Sequence, residues 1–162
     1  FYPHNLGEGK LSNAEENEVD YYKGIAYQKL GNDAESTKYL MKATQGSTEP
    51  QQAFYYNDQQ PDKIFYQGLA WRALGEENKA RSRFNKLIDH GKKHLFDDCK
   101  IDYFAVSLPE LAIWEDNLNI RNQIHCYYVM ALGYSGLGKE ELAEEYYEKV
   151  KRLDVNKQVF RM

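Results

Sequence analysis

Apolar positions in this chain come in paired runs at helical spacing, and each pair is split by a glycine. The first member reads Tyr21-Tyr22-Lys23-Gly24-Ile25-Ala26-Tyr27-Gln28-Lys29-Leu30-Gly31. It returns as Phe65-Tyr66-Gln67-Gly68-Leu69-Ala70-Trp71-Arg72-Ala73-Leu74-Gly75 and as Tyr128-Val129-Met130-Ala131-Leu132-Gly133-Tyr134-Ser135-Gly136-Leu137-Gly138. A second amphipathic run follows each: Ala34 to Ala43, Glu77 to Leu87 and Glu140 to Leu153. The period predicts helices. Gly31, Gly75 and Gly138 stand where a helix ends on a left-handed residue, and a short turn after them predicts an antiparallel partner. A single helix pair cannot bury its apolar face, so three pairs must stack on one another, which predicts an all-α solenoid.

The pattern also sets the boundaries. Periodicity begins near Glu16, and Asn32-Asp33 supplies a cap for the second helix, about Ala34 to Thr44. Gly46, Ser47, Pro50 and Gln59-Gln60-Pro61 read as connector, with a short helix expected around Ala53-Phe54-Tyr55-Tyr56. The second pair is expected over about Asp62 to Leu74 and Glu77 to His90, with Gly91 ending or loosening the latter helix. Ser107-Leu108-Pro109-Glu110 has the form of a capping box, so a short helix is expected from Leu108 to Trp114. Long helices are then expected from Leu118 to Ser135 and from Glu140 to Leu153. In the last helix acids lead and bases follow, which suits the helix dipole; Glu145 with Lys149 and Glu148 with Arg152 are well-oriented pairs on a solvated face.

These residues resemble tetratricopeptide repeats. In that family a small residue sits where the two helices cross, an aromatic follows three positions on, and a glycine makes the turn. Gly24, Tyr27, Gly31, Leu40 and Ala43 fit the first unit. Gly68, Trp71, Gly75, Ala80, Phe84 and Leu87 fit the second, and Ala131, Tyr134, Gly138, Ala143, Tyr147 and Val150 the third. Ser36 departs from the small apolar residue of the pattern. The resemblance implies a right-handed α-α superhelix with repeats at about 18–46, 61–91 and 124–156 in one domain over 1–162, with extra connector helices because the turn glycines are spaced beyond the ~34-residue period of the family. Tyr55-Tyr56-Asn57-Asp58-Gln59, the string Ile101-Asp102-Tyr103-Phe104-Ala105-Val106-Ser107-Leu108-Pro109 and His125-Cys126 also look like the C-terminal repeat region of large bacterial proteins that carry an N-terminal domain of unknown function. The chain opens on Phe1 rather than Met, which reads as a piece of a longer protein.

Composition narrows the function classes. Net charge is −4 with mixed signs, so there is no basic stripe for nucleic acid. No apolar run approaches the ~18 residues of a membrane span, and a cytoplasmic setting is favoured. Aromatics make up 14% of the chain, mostly tyrosine, and large rings with polar tips suit both core and binding surface.

The repeat frame points Tyr21, Tyr22, Ile25, Gln28 and Lys29, then Phe65, Tyr66, Leu69 and Arg72, then His125, Tyr128, Val129 and Leu132 to the inner face of the solenoid. Such a groove holds an extended or helical peptide. The competing reading is that connector helices fill it and make these residues core. Domains that grip chaperone C-termini resemble one another in a lysine–asparagine–arginine clamp on this face. Tyr21, Ile25, Tyr66, His125 and Val129 cannot neutralise two carboxylates, so that use is disfavoured.

Other constellations are weak. His90 and His94 share a helical face at a metal-compatible spacing, near Asp97, Asp98 and Cys99, but no His-Glu-x-x-His string exists, and a polar helix end is the expected reading. His125 and Cys126 are adjacent and so do not face each other. Cys99 and Cys126 fit no metal spacing, and buried free thiols are expected, with a disulfide between them as the alternative that sequence does not decide. Asp97-Asp98 and Glu115-Asp116 make no acid/base pair, and Gly7-Glu8-Gly9-Lys10 is no phosphate loop. The expectation is therefore a non-catalytic interaction or scaffolding module with no catalytic residue, metal or cofactor. Its partner would be a protein, a peptide, another domain of the same chain or a second copy. The alternative is an accessory helical domain of a larger, carbohydrate-related enzyme.

Overall fold

The computed structural model describes residues 15–52, 58–99 and 118–154. Among them are six α-helices and no strand: α1 (Asn17–Lys29), α2 (Asp33–Ala43), α3 (Pro61–Ala73), α4 (Glu77–His94), α5 (Leu118–Gly136) and α6 (Glu140–Leu153). Each helix packs on the next in sequence, and α3 also touches both α1 and α5. This is the neighbour-on-neighbour packing of an all-α helical repeat. The short helices expected at Ala53 to Tyr56 and Leu108 to Trp114 lie outside the described residues.

All three turns close in the same way. Gly31 adopts φ +73°, as Gly75 and Gly138 do similarly. The amide of Gly31 donates to the Gln28 carbonyl at 3.0 Å and that of Asn32 to the Tyr27 carbonyl at 3.0 Å. Gly75 and Glu76 repeat this on Arg72 and Trp71, and Gly138 and Lys139 on Ser135 and Tyr134. Two carbonyls at each helix end are thus satisfied through a left-handed glycine, the Schellman arrangement. Asn32 then caps α2 by accepting from the Glu35 amide, while α3 starts with Pro61 in its first turn.

Within each pair the small residue sits at the crossing. A Cβ on Gly24 would lie 2.6 Å from Leu40 Cγ, and one on Gly68 would lie 2.4 Å from Phe84 Cε1. Ala131 is fully buried in a cluster with Ala143 and Tyr147. The main core gathers Ile64, Phe65, Tyr66, Ala80, Phe84, Leu87, Val129 and Leu132 from α3, α4 and α5. Close packing of this kind leaves no room for added methylenes.

Gly91 neither ends nor loosens its helix. α4 runs through it to His94, because Gly91 is the point where α4 meets α5: a Cβ there would lie 2.7 Å from the Cys126 carbonyl oxygen.

Buried amide side chains tie the helix ends together. Asn17 Nδ2 donates to the carbonyls of Ala43 and Gln45, each at 2.8 Å. Gln67, itself fully buried, donates to Gln45 and Ser47 and accepts from Arg83 Nε. Asn122 Nδ2 donates to the His94 carbonyl at 2.6 Å. The Ala43 and His94 carbonyls lie at helix ends, where an intrahelical partner is missing, and those of Gln45 and Ser47 lie in the connector after α2.

Candidate functional site

The first helices α1, α3 and α5 lie in series, and the residues expected on an inner face lie along them. Tyr21 and Tyr22 on α1 meet Tyr66 on α3. Their ring centroids are 5.3 Å (Tyr21–Tyr22), 5.7 Å (Tyr21–Tyr66) and 5.7 Å (Tyr22–Tyr66) apart. The hydroxyls of Tyr22 and Tyr66 approach to 3.5 Å. Phe65 continues the cluster inward, 5.7 Å from Tyr66 and 5.8 Å from Phe84. Edge-to-face arrangements such as these suit the ring quadrupoles.

Exposure divides the predicted face. Tyr22 is 48% exposed; Gln28 and Arg72 are exposed, and Tyr21, Ile25, Leu69 and Tyr128 are half-buried. Phe65, Tyr66 and Leu132 are core. Tyr66, at 6% exposure, presents little beyond its hydroxyl. His125 is also buried and is not brought to the tyrosines: its Nε2 bonds to the Gln51 carbonyl at 2.7 Å. Arg72 pairs with Glu77 at 3.0 Å.

The electrostatics follow from burial. Desolvation raises the Tyr66 phenol, with the Tyr22 hydrogen bond next. Burial pushes Tyr128 up to about 12, with the charges of Asp62 and Glu18 adding to it. Tyr21 is likewise raised by burial. All three phenols stay neutral at physiological pH, as hydrogen-bonding rims on an apolar surface. Since Glu18 and Asp62 both act on Tyr66 and on Tyr128, the first turns of α1 and α3 give this face an acidic end.

The opposite side carries a feature the sequence reading missed. Tyr27 stacks on Tyr39 at 5.5 Å and 7°, with Lys23, Lys38 and Lys42 near the Tyr39 ring. Tyr134 stacks on Tyr146 at 5.4 Å and 16°, with Lys149 4.3 Å from the Tyr146 centroid. Between them in sequence Lys79 lies 4.3 Å from the Trp71 centroid. The signal was available: Tyr39 and Tyr146 each follow the small residue of the second helix, Ser36 or Ala143, by three positions.

A second concavity lies beside the C-terminal half of α4. It encloses about 600 Å³, and its lining includes Glu49, Gln51, Asp58, Lys86, His90 and His94. Lys86 is paired there with Glu49. Burial, then the neighbouring His94, pushes the His90 imidazole down to about 4, so it is neutral at pH 7. Cys126 is a buried free thiol and Cys99 a half-buried one. Burial pushes Cys126 up to about 12. A thiol so raised is a poor nucleophile, which argues against a Cys126–imidazole catalytic pair.

No helix among the described residues is long and apolar enough to cross a membrane. Two stretches match models of the tetratricopeptide repeat: residues 64–90, covering most of α3 and most of α4, and residues 124–156, covering most of α5 and all of α6. These matches support a tetratricopeptide-repeat protein, a family whose repeats generally mediate protein–protein contact. No solved structure matches the chain.

Proposed function

We propose that this chain is a non-catalytic protein-interaction module and that the first-helix face is its docking surface. The observation that carries this reading is the half-open aromatic cluster of Tyr21, Tyr22 and Tyr66, which joins two repeats and ends at Glu18 and Asp62. Rigid rings with polar tips supply contact area at low entropic cost, which is why they concentrate in binding sites. The occupant that fits is a peptide segment with apolar side chains and a basic residue. The apolar groups would lie on Tyr22, Ile25 and Leu69, and the basic residue would meet the acidic end. The segment belongs either to a separate protein or to another domain of the same polypeptide.

The test is site-specific photo-crosslinking in the native host, with the reactive group placed at Tyr22 or, as a control, at Lys79 on the opposite side. A partner peptide attached from the Tyr22 position alone, and lost on Glu18→Lys with Asp62→Lys, is the expected result. Equal capture from both positions, or capture indifferent to the charge reversal, would sink the assignment.

A further inference from the structure

The concavity beside α4 holds chemistry that the interaction reading does not use. His90 and His94 are four residues apart on one helix, so they share a face, and their ring centroids lie 4.6 Å apart. His94 Nδ1 lies 2.6 Å from Asp97 Oδ2. A carboxylate accepts only, so the ring proton sits on Nδ1, and in the neutral ring Nε2 keeps its lone pair. Carboxylates orient metal-binding histidines in this way. Nε2 of His90 is buried with no hydrogen-bond partner. Buried polar atoms are nearly always satisfied, and an orphan calls for an ion or a water. Both imidazoles line the same cavity of about 600 Å³, together with the carboxylates of Asp58 and Asp89.

We propose that His90 and His94 chelate one divalent transition-metal ion through Nε2 of each ring, on the cavity side of α4. Imidazole nitrogen selects zinc, copper or nickel over magnesium and calcium. The protein supplies two ligands: among the described residues no three His, Cys, Asp or Glu side chains are grouped to hold a metal ion. The remaining positions fall to solvent or to an incoming donor group on the His94 side of the ion, since Nε2 of His90 is itself closed to solvent. Lys93 also lines the cavity and opposes a cation, while Asp58 and Asp89 offset it. The site stands apart from the tyrosine face, and either assignment can fail alone.

The experiment titrates the chelator-stripped full chain with Zn²⁺ and with Cu²⁺ by calorimetry. One equivalent should bind, Cu²⁺ more tightly than Zn²⁺. His90→Ala and His94→Ala should each weaken binding at least about tenfold, since each removes one of two protein ligands, and His4→Ala should leave it unchanged. Affinity that survives both α4 substitutions, or that is lost with His4→Ala, overturns the proposal. Because a substitution at His90 also alters packing, the unsubstituted protein provides a second measurement. In its imidazole ¹⁵N spectrum Zn²⁺ should shift Nε2 of His90 and His94, and shifts confined to His4 or His125 overturn the proposal equally.

Discussion

The two joints between repeats weigh polar and apolar contacts differently. Between the first and second repeats, Leu40 and Ala43 of α2 make a small apolar cluster with Ala70 of α3, and polar ties run beside it. Asn17 and Gln67 reach in from α1 and α3 and hold the carbonyls of Ala43, Gln45 and Ser47. Between the second and third, α4 and α5 come within backbone contact. A Cβ on Gly133 would lie 2.7 Å from the Phe84 carbonyl oxygen, and one on Gly136 would lie 2.2 Å from Phe84 Cδ1. The first joint adds, to a small apolar and aromatic contact, hydrogen bonds that fix direction and that solvent can partly replace. The second gains from dispersion and apolar burial, which have no substitute once the helices part. One repeat unit can therefore be coupled to its neighbour firmly or loosely without changing its internal design.

The sharpest way to break this contrast is Gly133→Val. A branched side chain must displace the Phe84 carbonyl or the Ile88 side chain, whose Cγ1 would lie 2.6 Å from the new Cβ. A loss of about 3 kcal/mol is expected, at the upper end for overpacking, read by urea unfolding. A change below about 0.5 kcal/mol, the size typical of a surface substitution, would mean that α4 and α5 are not in close contact.

Gln67→Leu tests the polar joint. It takes one of two side-chain donors from each of the Gln45 and Ser47 carbonyls, which keep Asn17 and Gln59, and leaves the Arg83 guanidinium without its amide acceptor. The expected loss is about 1–2 kcal/mol, with faster amide exchange concentrated in residues 43–48. A loss matching that of Gly133→Val, spread evenly over the chain, would erase the distinction.

A third effect is alkaline. Tyr128 has an ordinary phenol value of 10.0 unfolded and about 12 folded. The raised folded value means that its stabilisation is complete below pH 10 and is lost as pH rises toward 12. Unfolding free energy should stay flat to about pH 10 with respect to this group and then fall. Tyr128→Phe should flatten part of that fall. An unchanged slope in the variant would show that the Tyr128 hydroxyl ionises freely in the native state.

Several features were legible in the residues. The turn glycines, the small-residue crossings and the helix limits near Leu30, Leu74 and Leu153 all follow from local rules of helix periodicity and capping. The candidate face was only half legible. Periodicity places Tyr21, Tyr66 and His125 on one face of their helices, but it does not say how deep each sits. Tyr22 is exposed and Tyr66 is core although both occupy the same register, because α4 and α5 close over α3 while α1 has a repeat on one side only. The lysine-flanked stacks of Tyr27 on Tyr39 and of Tyr134 on Tyr146 needed the two helices of a pair to be superposed.

The sequence alone determined a repeated pair of antiparallel helices, because turn chemistry and a 3.6-residue period act within a few neighbouring residues. Only the tertiary structure decided which rings are buried, why Gly91 continues a helix instead of ending it, and that His90 and His94 line a cavity opposite residues 49–52. Those outcomes depend on contacts between segments far apart in the chain. Such contacts are set by how rods pack in three dimensions, which no local pattern encodes.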